Sequence, residues 1–549
     1  MAADYRRIAD RVADDIAAGR LKPGDRLPPQ RVFARRRGIA GSTAGRVYAE
    51  LVRRGLVVGE VGRGTFVRAA PPVSAGWALA EPATSAPVNL ELNYPAVPGQ
   101  SELLAAGIAP LLRPDVLADA LRTAPATGTA AAREAAAGLL ATGGWRPAPE
   151  RFLFTGNARQ AIAAALAHLV RPGGRVGVES LTYPLVKEIA GRLGVTLVPL
   201  ATDGEGVRPE AVVAAHRAAP LSAVYVQPTL HNPTSVTMGG VRRAELAGVV
   251  RELDLPVIED RVWAFLAGGD AGGDAGGDTG GDTGGDTGGD AGGDFGGRVP
   301  PPLAAYAPER VFVVDGLSKR VAPGLTVGFL VVPEGRVEGV AAALRSGGWA
   351  AGRFALEAGV RWIGDGTVGR LVEAKRADAA ARQRLVAEHL AGFAVRGDAR
   401  AYYVWWELPE PWRADTFCAA AAERGVAVTP GSAFSVPGVG AGRGAGTLTG
   451  ADRVPLRPPV PPHRHDCPQL GEPGQLGRPG VLGRPGAAAS AAGPGGVASA
   501  AGPGAAVSAA GPTVAASAAD CVRLGLGSVS LSELAGALRV LGDVARGGT

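Results

Sequence analysis

The chain has 549 residues, an apolar fraction of 46% and a net charge of +6, from 57 Lys+Arg against 51 Asp+Glu. That length exceeds one small domain and predicts two or three soluble domains with sizeable cores. Three cysteines (Cys418, Cys467, Cys521) without a CxxC pair argue against a disulfide framework or zinc site, and the charged start MAADYRRIADRVADD, with no later run near a membrane span, predicts a cytoplasmic protein without membrane contact.

The charge is uneven. Residues 1–70 carry 15 Lys+Arg and 7 Asp+Glu, a surplus of 8, so the rest of the chain stands at 6 minus 8, or −2. A polyanion partner is expected for the first domain alone. In DYRRIADRVADDIAAG the residues Tyr5, Ile8, Val12 and Ile16 fall at helical spacing, and Gly19, Pro23 and Gly24 stop the helix. Helical stretches follow in QRVFARRRG and GSTAGRVYAELVRRG. The alternation in LVVGEVGRGTFVRA then predicts a two-stranded hairpin turning at Gly62 to Gly64. Three helices and a hairpin wing make a winged helix-turn-helix. Ser42 or Thr43 would open its recognition helix and Arg46 would face DNA, with Arg31 and Arg35 to Arg37 near phosphates.

The segments PGDRLPPQRVFA, VYAELVRRGLV and GRGTFV resemble the GntR family DNA-binding domain almost end to end. The resemblance implies DNA contacts by Arg31, Ser42, Thr43, Arg46 and the Gly64 wing. Where the family usually has Ser-Arg before the Ser/Thr pair, this chain has Ala40-Gly41, and Gly45 lies within the helix at a cost of about 1 kcal/mol relative to Ala. Sequence-specific base reading is thereby depleted relative to DNA binding itself.

Residues 71–88, rich in Ala, Pro and Ser, read as a linker. From Asn89 onward the apolar runs RFLF, RVGVE, VTLVPL, SAVYVQ, LPVIED, RVFVVDG and VGFLVVP alternate with Ala-rich helical stretches, which predicts an α/β domain with a largely parallel sheet. Functional residues are expected at its strand ends. FLFTGNARQAI is a strand, a turn and a helix start, so the free amides around Asn157, Ala158 and Arg159 make a phosphate cradle. Further strand ends carry Tyr183, Asn232, Asp260 and Lys319.

A phosphate cradle, a stacking ring, an amide, a carboxylate and a lysine are what a pyridoxal 5'-phosphate site needs. Only four of the 57 basic residues are lysines: Lys22, Lys187, Lys319 and Lys375. Schiff-base formation requires an amine that loses its proton on desolvation, which guanidinium does not do. Lys319 is the candidate, with Asp260 at the pyridine nitrogen, Asn232 at the ring hydroxyl and Tyr183 on the ring face. The other three lysines read as solvated surface groups.

These motifs resemble fold-type I aminotransferases, and behind a GntR domain they resemble the MocR group of regulators. The resemblance extends to AYYVWWELP, RGVAVTPGSAF and CVRLGLGSVSLSEL, a smaller C-terminal α+β domain. It implies that Arg523 grips a substrate carboxylate and that the protein is a homodimer. Three positions depart from the family. Its Ser-x-Ser-Lys reads Gly316-Leu317-Ser318-Lys319, Thr326 replaces an arginine, and Val262 and Trp263 stand where a tyrosine follows the aspartate. Ser318 remains a cofactor contact, and Arg159 or Arg320 is expected to supply the phosphate charge that the family's arginine would bring. The missing hydroxyl favours sensing of an amino acid, an amine or the cofactor over turnover, with a working aminotransferase as the alternative. Two low-complexity inserts, an acidic Gly-rich repeat over 268–297 and a Pro/Gly/Ala/Ser-rich arm over 437–519, lack the residues for a core, and HRHDC within the second is not expected to hold a metal.

Overall fold

The computed structural model describes residues 4–17, 20–21, 24–53, 56–60, 64–67, 86–268, 299–324, 327–436 and 518–547. Lys22, Gly62, Thr326, the His463–Cys467 cluster and the inserts apart from their outermost residues lie outside the described residues.

At the N-terminus α1 (Asp4–Ala17), α2 (Gln30–Arg37) and α3 (Gly41–Arg53) pack around Val12, Phe33, Val47 and Leu51. A three-stranded sheet completes the unit, with β1 (Arg26–Leu27), β2 (Val57–Glu60) and β3 (Gly64–Val67) in the order β1-β3-β2. Gly38 closes α2 with φ 64°, the left-handed conformation glycine tolerates. The third helix opens at Gly41, ahead of the expected Ser42 or Thr43, because the Ala44 amide already donates to the Ala40 carbonyl at 3.0 Å.

The large domain is built on seven strands: β4 (Phe152–Thr155), β5 (Arg175–Glu179), β6 (Thr196–Leu200), β7 (Ala223–Val226), β8 (Val257–Asp260), β9 (Val311–Gly316) and β10 (Gly328–Val331). Their order is β4-β10-β9-β8-β7-β5-β6; β10 runs antiparallel to both β4 and β9, and the other six strands share one direction. Both faces are covered. Phe154, Val224, Val257 and Val313 point into one apolar cluster, while Leu153, Tyr225, Ile258 and Phe312 point into the other. That double burial is why the strands read as continuous apolar runs and not as alternations. Helices α4 (Ala158–Leu169) and α5 (Pro184–Arg192) follow β4 and β5.

The C-terminal part carries a four-stranded antiparallel sheet of β11 (Ala394–Gly397), β12 (Tyr403–Glu407), β13 (Thr429–Pro430) and β14 (Cys521–Gly525), ordered β11-β12-β14-β13. The long helix α6 (Thr367–His389) and helices α7 (Ala414–Glu423) and α8 (Leu531–Ala545) share its core, which includes Val386, Phe417, Leu534 and Leu538. Ser530 and Glu533 form a capping box that starts α8. Among the described residues, no helix is long and apolar enough to cross a membrane.

Candidate functional site

A cavity opens where the parallel strands end, the position an α/β sheet offers a ligand. Its lining includes Asn157, Ala158, Arg159, Tyr183, Asn232, Asp260, Ser318, Lys319 and Arg523, all singled out from sequence, together with Glu91, Asn93, Tyr94 and Gln227, which were not.

The cradle comes from β4 and α4. Asn157 caps the helix, its Oδ1 accepting from the Gln160 amide at 3.1 Å. The Ala158 and Arg159 amides precede the first intrahelical bonds and carry the positive end of the helix dipole. Gly328 lets β10 approach, since a Cβ there would lie 2.5 Å from the Asn157 carbonyl carbon. The same crowding accounts for Gly316: a Cβ at that position would lie 2.7 Å from the Val327 carbonyl oxygen. A serine hydroxyl has no room there.

Asp260 ends β8 and is buried. Its Oδ2 accepts from the Tyr225 hydroxyl at 2.7 Å and the Gln227 side-chain amide at 2.8 Å, and its Oδ1 accepts from the Val262 amide at 3.0 Å. Burial outweighs these bonds and raises its pKa. Gln227 also accepts from the Asn232 amide at 3.1 Å and so ties carboxylate to asparagine. The side-chain Oδ1 of Asn232 is buried without a partner among the described residues. Val262 and Trp263 bring no hydroxyl to the cavity; the one that reaches Asp260 comes from Tyr225 on β7.

Lys319 follows β9 in a turn closed by the Val321 amide on the Leu317 carbonyl at 2.6 Å. Its Nζ donates to the Asn93 carbonyl at 2.6 Å and lies 4.2 Å from the Tyr94 ring centre and 5.1 Å from that of Trp263. Burial first, then the neighbouring Arg523, Arg159 and Lys375, bring its pKa down to about 7. A guanidinium would remain protonated in the same place.

Two lysines expected on the surface are not there. Lys375 on α6 is fully buried and donates to the Lys319 carbonyl at 2.9 Å and the Val321 carbonyl at 2.7 Å, holding the turn that carries Lys319. Burial lowers its pKa to about 7. Lys187 is half-buried and donates to the carbonyls of Ala433 and Ser435, with its pKa lowered to about 8 by desolvation. The expectation for Arg320 is corrected as well. Its guanidinium is buried in a two-pronged pair with Asp315 and bonds the Gly316 carbonyl at 3.0 Å, away from the cavity lining. A cation already matched by a carboxylate has little charge left for a phosphate. Arg159 remains exposed on the cavity wall.

Arg523 lies on β14, buried among Tyr403, Phe434 and Thr429. Its Nη2 donates to the Glu91 carbonyl at 2.8 Å, its guanidinium is 5.4 Å from the Phe434 ring centre, and its Nε has no partner among the described residues. Burial lowers its pKa to about 10. In the N-terminal unit Arg31, Arg35 to Arg37, Ser42 and Arg46 are exposed on α2 and α3, and Thr43 and Gly64 are partly so.

This fold with this cavity defines a fold-type I, pyridoxal phosphate-enzyme architecture joined to a helix-turn-helix. The chain belongs to the aminotransferase class I and II family, whose model matches residues 114–444; residues 4–67 match the gntR family of bacterial regulatory proteins. It is 27% identical to the uncharacterized HTH-type transcriptional regulator YdeF of Bacillus subtilis over 79% of this chain and 87% of that protein. It is 25% identical to the HTH-type pyridoxine biosynthesis transcriptional regulator PdxR of Corynebacterium glutamicum over 60% of this chain and 65% of the relative. Among solved structures, an archaeal alanine:glyoxylate aminotransferase superposes with a TM-score of 0.60 at 17% identity, over 86% of this chain and 94% of the other. The fusion is that of MocR-like transcription regulators, built on a family that typically uses pyridoxal phosphate.

Proposed function

We propose that this transcription regulator holds pyridoxal phosphate in the cavity at Lys319, and that an amino acid, an amine or the cofactor itself sets how its DNA-binding domains are presented. The observation that carries the reading is a buried amine of lowered pKa facing a helix N-terminus, a buried carboxylate and an unpartnered amide within one cavity. When bound, pyridoxal phosphate supplies an aldehyde that bonds to an amine and a ring that withdraws electrons. The cavity residues fit that group. Asp260, whose buried carboxylate accepts from the neutral donors Tyr225, Gln227 and Val262, would keep a proton on the pyridine nitrogen, and the side-chain amide of Asn232 would bond the ring hydroxyl.

With its pKa brought down to about 7, Lys319 has a substantial share of its nitrogen in the unprotonated, nucleophilic form near neutrality. Tyr183 would cover one face of the ring. The Ala158 and Arg159 amides, the Ser318 hydroxyl and the Arg159 guanidinium would hold the phosphate, with Arg159 standing in for the hydroxyl and guanidinium that the family carries where this chain has Gly316 and Thr326. Arg523 would take an effector carboxylate. On α3, Arg46 with Ser42 and Thr43 would enter a groove of DNA, while Arg31 and the Gly64 wing would contact backbone. The family resemblance supports a homodimer.

The test is the visible absorbance of the purified chain with pyridoxal phosphate, before and after a panel of amino acids and amines. A band that forms in the parent, fails in Lys319→Ala and shifts with one ligand supports a sensor. No band in the parent overturns the reading. Conversion to the pyridoxamine form, restored by a keto acid, would instead identify a working aminotransferase.

A further inference from the structure

The chain enters the large domain from the linker through residues 88–94, and this stretch crosses from the C-terminal part to the cavity. Val88 and Asn89 pair in parallel with Val426 and Ala427. The Leu90 carbonyl then accepts from the Gly525 amide at 2.7 Å, the Asn93 side chain accepts from the Gly527 amide at 3.0 Å, and the Tyr94 amide donates to Ser528 Oγ at 2.8 Å. Two glycines permit so close a path. A Cβ at Gly525 would lie 2.4 Å from the Leu92 carbonyl oxygen, and one at Gly527 2.6 Å from Asn93 Oδ1. None of these partners is a candidate ligand group.

Two further bonds differ in kind. The Glu91 carbonyl accepts from Arg523 Nη2 at 2.8 Å, and the Asn93 carbonyl accepts from Lys319 Nζ at 2.6 Å, with the Tyr94 ring centre 4.2 Å from the same nitrogen. The strap is therefore held by the two groups read as ligand-binding. A guanidinium has several N–H donors, so Arg523 can take a carboxylate and still hold Glu91. Lys319 has no such reserve. When its neutral amine condenses with an aldehyde, both hydrogens leave with the aldehyde oxygen as water while the carbon–nitrogen double bond forms. A proton regained later is fixed in the plane of that bond, whereas the amine turns to direct its hydrogens. The Asn93 carbonyl loses its donor.

We propose that Lys319 latches residues 88–94 in the cofactor-free protein, and that pyridoxal phosphate, by taking the Lys319 amine, opens this latch on the stretch leading to the DNA-binding domain. The proposal rests on the reading of Lys319 as the residue that bonds the cofactor. The strap stays attached at Val88, Leu90 and Tyr94, so the change is a local loosening at the root of the linker.

The experiment is hydrogen–deuterium exchange of the full chain, read by mass spectrometry on a peptide spanning 88–95, while visible absorbance reports cofactor uptake. The amides of Leu90, Glu91, Leu92 and Tyr94 are hydrogen-bonded and so report on the strap. A peptide containing Ala223–Val226 of β7 is the folding control. In the parent, saturating pyridoxal phosphate is expected to speed exchange of the strap about fivefold or more and to leave β7 unchanged. Without cofactor, Lys319→Met should exchange as fast as the loaded parent. Lys319→Arg keeps a donor but forms no such bond, and should stay within about twofold of the empty parent. Strap exchange that is unchanged or slower in the loaded parent overturns the proposal, and so does Lys319→Met behaving like the empty parent. Equal acceleration in both variants would show that packing, not the hydrogen bond, holds the strap, and would overturn it too. Should Lys319→Met disturb β7, the parent with and without cofactor still decides. A visible band with unchanged strap exchange sinks the latch and keeps the cofactor reading. No band in the parent sinks the cofactor reading, and opening by the cofactor with it.

Discussion

Lys319 and Lys375 show how burial changes what a lysine does. Both are held near a pKa of about 7 against an ordinary 10.5. Lys319 is the reactive candidate, so the rate at which the cofactor-free protein takes up pyridoxal phosphate should rise with pH through about 7 and level off well below 10.5. Stopped-flow absorbance across this range checks it; a rate still climbing tenfold per unit at pH 9 would contradict it. Lys375 has a structural task, donating to two carbonyls of the Lys319 turn. Lys375→Met should cost about 1–3 kcal/mol in urea unfolding, because those carbonyls lose a buried donor. The sign of its pH effect follows from linkage. The folded chain gives up this proton at about 7, the unfolded chain near 10.5, so the unfolded state binds more protons in between and stability rises with pH across that window. The variant should flatten that rise. Lys319 was legible in sequence because it follows an apolar strand. Lys375 was not, since its neighbours Glu373, Arg376 and Asp378 give its stretch of helix a charged, surface-like pattern.

At the scale of elements, close backbone approach explains one departure from the family. The pairing of β9 with β10 sets Gly316 opposite Gly328. Gly316→Ser should therefore fail to restore a phosphate contact and should lower the melting temperature, because its Cβ would collide with the Val327 carbonyl. Tighter cofactor binding in that variant would show the strands can part. In the N-terminal unit, a Cβ at Gly45 in α3 would meet Gln30 only at an ordinary 3.5 Å. Gly45→Ala should stabilise the domain by about 1 kcal/mol, measured by chemical denaturation. The seven strands of the large sheet were each readable as short apolar runs, because burial on both faces leaves few polar positions, most of them at the strand ends. Their hydrogen-bond partners were not readable. Tyr225 and Gln227 reach Asp260 only because β7 and β8 are neighbours, and sequence order does not state sheet order.

For the whole molecule, the basic surplus of the first seventy residues points to phosphate-led contact with DNA. Affinity for DNA should fall steeply with salt, about tenfold or more between 50 and 200 mM if several phosphates are neutralised. A flat dependence in a filter or anisotropy titration would contradict it, and Arg31→Ala should weaken binding to all sequences alike. The sequence by itself determined the two architectures and offered the cradle, Asp260, Asn232, Tyr183 and Lys319 as candidates, because periodicity and strand-end chemistry are local properties; Arg523 came from the family resemblance alone. Tertiary structure alone decided which charges remain available. It turned Arg320 toward Asp315, buried Lys375 beneath the reactive turn, placed the Asn93 carbonyl on Lys319 across 226 residues of chain, and set Glu91 beside Arg523. Those outcomes depend on which distant segments fold against one another, and a local pattern of residue types carries no record of that.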